Sequence, residues 1–243
     1  MNGELQRVAT ALAQSKTALL LSGAGVSKAS GIPTFRGEDG LWRKYRVEEL
    51  ATPEAFGSDP VLVWEWYQWR LQLVCESAPN AAHIALSELE ERYNALWIVT
   101  QNVDGYHQQA GSRQVIELHG SIRRARCLEC GLKVTTPVGE GVPRCNCGGM
   151  LRPDVVWFGE TLPMSELKQA VEIARNCDLF ITAGTSGLVE PAASLLSVAA
   201  VAGALIVEIN PARTAASHRV DIILDGDADR ILPEIWSICE EKT

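Results

Sequence analysis

Apolar positions along the chain fall into two rhythms. From Glu4 to Gln14 they recur at helical spacing, which predicts an amphipathic helix. Short continuous apolar runs follow: "TALLLSGAGVS", "ALWIVTQN", "CDLFITAGTSG", "ALIVEINP" and "VDIILDGDAD". Each closes on Gly, Asn, Asp, Ser or Thr, and helix-like segments separate most of them. Runs of this kind read as buried strands alternating with helices, so the pattern predicts an α/β fold built on a doubly wound parallel sheet. Ligands of such sheets settle beyond the carboxyl ends of the strands. Gly23, Asn102, Gly184 and Asn210, which close four of the runs, are therefore expected to converge on one crevice.

Two stretches depart from this alternation. The uncharged segment Pro191–Val207 lies at the lower edge of membrane-spanning length, but small residues and Gly203 divide it, and it reads as a buried helix followed by a strand. From Ile122 to Arg152 the chain is rich in Gly, Cys and Arg with little helical period, and it reads as an insert. The spacing Cys127-x2-Cys130-x14-Cys145-x-Cys147 supplies two close thiolate pairs, the donor set of a tetrahedral structural Zn2+. A disulfide pair and an iron cluster are the weaker readings, because nothing points to an oxidising compartment and the paired spacing is that of a zinc ribbon. Four thiolates fill a tetrahedral shell, which leaves the nearby His119 for another task. Cys75, Cys177 and Cys239 stand alone and read as inert core residues.

Composition narrows the class. The 243 residues are 47% hydrophobic, enough for one large domain, or one domain carrying a small insert. With 22 basic and 30 acidic residues the net charge is −8, which argues against a chain that coats nucleic acid. Arg123, Arg124 and Arg126 beside Cys127 keep a zinc-ribbon nucleic-acid module in view as one alternative. The N-terminal segment is mixed polar, and its apolar run Thr17–Leu21 is too short for a secretory signal, so a cytoplasmic protein without membrane attachment is expected, with the mature chain starting here. The oligomeric state is open, with a monomer favoured.

The turn "SGAGVSKASGIPTFRG" places Gly23 and Gly25 in G-x-G spacing after a strand, where backbone amides and a helix N-terminus can cradle a pyrophosphate. Lys28 occupies the third glycine position, and no acid stands where a dehydrogenase holds its ribose. A tight βα turn is the competing reading, and a nicotinamide-dependent dehydrogenase is the second functional alternative.

Taken together, "GAGVSKASGIPTFRG", "TQNVD", "LHG" at 118–120, the four cysteines, "VVWFGE", "GTS" at 184–186 and "EINP" resemble, in order and spacing, the sirtuin (Sir2-like) family of NAD-dependent protein deacylases. The resemblance spans nearly the whole chain. It implies a Rossmann-like NAD-binding domain (1–34, 80–120 and 153–243), a helical insert carrying the acyl pocket (35–79) and a zinc-binding module (121–152), with NAD and the acylated lysine side chain of a protein meeting between them. It also implies that NAD is a co-substrate, consumed to give nicotinamide, O-acyl-ADP-ribose and free lysine.

Roles follow position by position from the same resemblance. His119 matches the general base that draws a proton from the ribose hydroxyls, and Asn102 and Asp104 match residues at the nicotinamide end. Gln101 matches a ribose contact and Val103 lies within the same motif. Gly23, Ala24 and Gly25 match the phosphate turn, and Phe35 and Arg36 a lid over the leaving nicotinamide. Gly184, Thr185, Ser186, Asn210 and Ala228 match contacts to the diphosphate and adenosine end. The substrate backbone is expected to add as a strand between Val156, Trp157, Phe158, Gly159 and Glu160 on one side and Leu188 and Glu190 on the other.

One helix speaks to acyl selectivity. "PVLVWEWYQWRLQLV" carries Tyr67 and Arg70 at i, i+3, which can point to one side. Tyr-x-x-Arg here resembles the branch of lysine desuccinylases and demalonylases, in which guanidinium and phenol hold a distal carboxylate and a small residue, here Ala51, keeps the pocket wide. Thr34, Tyr106 and Glu190 depart from the commonest family pattern, and the latter two are expected beside the substrate. Glu190 at the entrance would favour basic flanking residues.

Overall fold

The computed structural model describes residues 2–34, 46–93 and 95–241. Its centre is a six-stranded parallel sheet of β1 (Ala18–Ser22), β2 (Leu96–Thr100), β3 (Val115–Glu117), β7 (Leu179–Ala183), β8 (Leu205–Asn210) and β9 (Ile222–Asp225), in the order β3-β2-β1-β7-β8-β9. The five apolar runs all become strands of this sheet. Their short continuous hydrophobic stretches allow burial on both faces, as in β1, where every residue is buried. Alternation sends Ala18 and Leu20 to one core and Leu19 and Leu21 to the other.

Helices α1 (Asn2–Gln14), α6 (Ala81–Arg92) and α10 (Ala228–Glu241) cover the first face, through residues such as Leu12, Leu86 and Ile235. Helices α8 (Met164–Asn176) and α9 (Ser194–Val201) cover the second through Ala170, Ala174 and Leu195. The expected helix-then-strand in Pro191–Val207 is α9 followed by β8. Among the described residues no helix is long and apolar enough to cross a membrane.

Because β1 is flanked by β2 on one side and β7 on the other, the strand order reverses at β1, the position where open α/β sheets form a crevice. The short helix α2 (Ala24–Ser27) starts there. Its turn touches the turn after β7: Gly25 N–H donates to the Gly184 carbonyl at 2.9 Å, and a Cβ on Gly25 would lie 2.6 Å from Gly184 Cα. Gly184 itself has φ of +61°, so both positions exclude side chains, one for space and one for backbone conformation.

Helices α3 (Val47–Leu50), α4 (Pro53–Ser58) and α5 (Pro60–Glu76) stand beside a small antiparallel sheet of β4 (Gly120–Cys127), β5 (Lys133–Thr135) and β6 (Leu151–Val155), in the order β5-β4-β6. A third core joins the two, where Phe56, Trp66 and Tyr67 pack with Val103, Ile122 and Trp157. The small sheet extends past 121–152 at both ends. Helix α7 (Tyr106–Gln109) closes the loop after β2. Tyr106, expected beside the substrate, is instead fully buried in the third core and donates its hydroxyl to Val74 O, because an aromatic ring fills the gap between α5 and this loop. Cys177 and Cys239 are buried as expected; Cys75 is exposed.

Candidate active site

A cavity of about 570 Å3 opens at the carboxyl ends of β1, β2 and β7 and runs between the large sheet and the third core. Gly23, Ala24 and Gly25 form one wall, and Gly184, Thr185 and Ser186 face them. Gln101, Asn102, Val103 and His119 form its floor. The far wall is made by Ala51, Tyr67 and Arg70 with Val156, Trp157, Phe158, Gly159 and Glu160, while Leu188 and Glu190 complete it.

Other expected site residues lie elsewhere. Asp104 lines a smaller adjoining cavity together with Ser27, Arg70 and Asn102. Asn210 is buried with its amide on Thr185 O at 3.1 Å, so it braces the Gly184–Ser186 turn. Ala228 is buried in the first core at the start of α10 and is not on the cavity lining. Phe35 and Arg36 lie outside the described residues.

His119 sits in the connection from β3 to β4, its backbone carbonyl accepting from Val156 N at 3.0 Å. Its Nδ1 is 3.0 Å from Gln101 O. A carbonyl only accepts, so Nδ1 carries hydrogen, and the neutral ring keeps its lone pair on Nε2. Burial lowers the pKa below the ordinary 6.5, opposed by that hydrogen bond. The result is a neutral imidazole with a defined tautomer on the cavity floor, which is what a general base requires.

Asn102 donates its amide to Gly23 O and Ser27 Oγ at 3.0 and 3.1 Å, tying β2's end to the glycine turn. Asp104 accepts from Ser27 Oγ at 2.8 Å and Tyr106 N at 2.9 Å, and burial raises its pKa against those bonds and the charges of Arg123 and Arg70. Ser27 is a residue that the sequence reading missed. A polar side chain inside the otherwise apolar "GAGVS" turn was the available signal.

Arg70, expected on one reading to be solvated, is only 8% exposed. Its guanidinium lies 4.8 Å from the Trp66 ring and 5.5 Å from that of Tyr67. Burial lowers its pKa, opposed by Tyr67 and Asp104. Tyr67 Oη accepts from Trp157 Nε1 at 2.9 Å, and burial raises its pKa while Arg70 and Arg152 pull it down. Ala51 contributes its backbone as well, its carbonyl accepting from Phe158 N at 2.9 Å. Glu160 lines the cavity, yet its carboxylate is held by Arg152, Arg126 and Trp157 N. Glu190 likewise accepts from the backbone and hydroxyl of Ser194, at the start of α9.

The four cysteine sulfurs all lie within 4.8 Å of one another, with Cys127–Cys147 at 3.5 Å and Cys130–Cys145 at 3.7 Å. Zinc–sulfur bonds of about 2.3 Å in a tetrahedron place sulfurs about 3.8 Å apart, so the cluster fits a structural zinc. His119 is not part of it. The three arginines beside Cys127 are engaged internally: Arg123 with Asp104 O and Gln109, Arg124 with Glu117 and Asp154, Arg126 with Glu160. That weighs against a nucleic-acid module.

Comparisons with known proteins agree with this architecture. The chain matches the Sir2 family over residues 23–191. It is 50% identical over 226 residues to an NAD-dependent protein deacylase of Aquifex aeolicus, covering 91% of this chain and 95% of that one. Among solved structures, a Sir2 homolog–NAD complex is 45% identical with a TM-score of 0.92, over 98% of this chain and 94% of that chain. A Sir2 homologue mutant complexed with 2'-O-acetyl ADP ribose is 46% identical with a TM-score of 0.91, over 97% and 96%. Family match, sequence identity and fold agree over almost the full length, and the chain belongs to the Sir2 family.

Proposed function

We propose that this NAD-dependent protein deacylase has an acyl pocket that accepts acidic groups such as succinyl and malonyl as well as acetyl. NAD-dependent deacylation is the activity that its close relative's name carries, and a Sir2 homologue holds an O-acetylated ADP-ribose. In this reading the two glycine turns hold the diphosphate, Asn102 and Asp104 the nicotinamide end, and Gln101 the ribose. The amide oxygen of the acyl-lysine displaces nicotinamide from the ribose carbon. His119 Nε2 then takes a proton from a ribose hydroxyl, whose oxygen attacks the acyl carbon, and with one water the lysine amine leaves and the acyl group departs as O-acyl-ADP-ribose. The substrate backbone lies between Val156–Glu160 and Leu188–Glu190 and contributes main-chain hydrogen bonds that tolerate many sequences.

The observation that carries the acidic-acyl part is Arg70, a buried guanidinium on the cavity wall beside a phenol that Trp157 holds in place. A guanidinium pairs with a carboxylate through parallel hydrogen bonds, strengthened by exclusion of water. Acetyl-, succinyl- and malonyl-lysine peptides incubated with and without NAD test it, followed by nicotinamide and peptide mass. NAD-coupled release is expected from all three. Tyr67→Phe with Arg70→Met is expected to cut succinyl kcat/KM by 10-fold or more while acetyl falls much less. Equal loss on acetyl and succinyl refutes the pocket assignment, and release without NAD refutes the reaction.

A further inference from the structure

We propose that Arg152, outside the cavity, is a positioning residue that sets selectivity for acidic acyl groups through Trp157 and Tyr67. The inference rests on the acidic-acyl reading above.

Arg152 lies on β6, in the small sheet, and is only 3% exposed. Its guanidinium is gripped on its edge and on its face. Nη1 and Nη2 donate to the two oxygens of Glu160 at 2.5 and 2.9 Å, and Nη2 also donates to Val155 O at 2.8 Å. The guanidinium carbon sits 3.3 Å from the centre of the Trp157 ring. Glu160 in turn accepts the Trp157 backbone N–H at 2.8 Å. Both the main chain and the side chain of Trp157 are thus fixed by one ion pair.

The indole then passes this order on. Its N–H donates to Tyr67 Oη, so the phenol's own hydrogen is turned away from Trp157. A positive charge over an aromatic face withdraws density from the ring and makes its N–H a better donor. Tyr67 also senses the Arg152 charge directly, in the same sense as that of Arg70. Buried ion pairs add little net stability over an apolar filling of the same volume, so the contribution of this one is directional. Lysine could keep the charge but not the bidentate fork and the flat stack, which makes the geometry specific to arginine.

Four forms are compared: wild type, Arg152→Lys, Arg152→Met and Trp157→Phe, the last keeping an aromatic ring beside the guanidinium but removing the indole N–H together with part of the ring system. Each is assayed on one peptide carrying succinyl-lysine or its uncharged succinamoyl analogue, with Tm and bound zinc measured alongside. Wild type is expected to prefer the succinyl peptide. Each variant is expected to reduce the succinyl-to-succinamoyl ratio of kcat/KM by 10-fold or more, through KM for the succinyl peptide. An unchanged ratio in a folded variant, or parallel loss on both peptides that tracks Tm, overturns the role of Arg152. If the arginine variants do not fold, an unchanged ratio in Trp157→Phe still overturns the relay through the indole N–H. Absence of any succinyl preference in the wild type would instead overturn the acidic-acyl reading beneath it.

Discussion

At the scale of single residues, the sequence located His119 but could not say which of its nitrogens carries hydrogen. The "LHG" motif after "TQNVD" marked the position, whereas the tautomer depends on Gln101 O, brought within 3.0 Å by the end of a strand 18 residues earlier in the chain. Ser27 and Arg152 were unread for the same reason, since their partners Asp104 and Trp157 come from other elements. The His119 geometry has a kinetic consequence. Burial lowers the folded-state pKa below 6.5, so the ring is neutral and competent at neutral pH and is silenced only as pH falls through that lowered value. The acid limb of kcat/KM, which reports the free enzyme, is therefore expected below 6.5. His119→Ala is expected to lose on the order of 10^2-fold or more, the usual contribution of a general base. A pH profile from 5 to 9 checks this, and an acid limb above 6.5 contradicts the assignment of His119 as the base.

Among elements, the five apolar strands of four to six residues were legible because burial on both faces leaves continuous hydrophobic runs. The edge strand β3 is three residues long and gives too short a signal. The small sheet was legible only as an insert. Its central strand "GSIRRARC" alternates poorly because Arg123, Arg124 and Arg126 are recruited to internal acceptors, which hydropathy does not report. That strand also reaches the loop beside the cavity: Ile122 N donates to Val103 O at 2.9 Å and Arg123 Nε to Asp104 O at 2.6 Å. Loss of the metal should thus loosen the loop carrying Asn102 and Asp104, while the two cores of the large sheet, which contain no module residue between Ile122 and Arg152, persist. Cys145→Ser or chelation is expected to release the zinc, render the 128–150 region protease-sensitive and cut deacylation at least 10-fold with most helical circular dichroism retained. A metal-free variant that stays protease-resistant and fully active would contradict this.

The whole molecule's stability depends on two histidines that play no part in the proposed chemistry. His83 and His107 lie on α6 and α7 with ring centroids 4.9 Å apart. His83 Nδ1 accepts from Asn80 N, completing the cap of α6, and His107 Nε2 lies 2.8 Å from Ser22 Oγ on β1. Ser22 donates to Thr100 Oγ1, which also accepts Asn102 N, so the pair ties helices, sheet and active-site loop together. Burial lowers the pKa of His83 to about 4 and that of His107 to about 3, the latter also repelled by His83. Both folded values lie below the unfolded value near 6.5, so as pH falls the unfolded chain binds protons first. The stabilisation is whole above 6.5 and is lost progressively as pH falls toward the folded values. Between pH 8 and pH 5 the loss is about 2 kcal/mol per ring, a large share of the roughly 5–15 kcal/mol that holds a domain folded. The raised pKa of Asp104 acts in the opposite sense, so the clean measurement is a difference between variants. Urea unfolding of wild type and His107→Gln at pH 8 and pH 5 is expected to show the variant less stable at pH 8 but losing about 2 kcal/mol less on acidification. An identical acid-induced loss in both would mean that His107 binds its proton as readily in the folded protein as in the unfolded chain, and a buried neutral pair could not be what joins α6, α7 and β1.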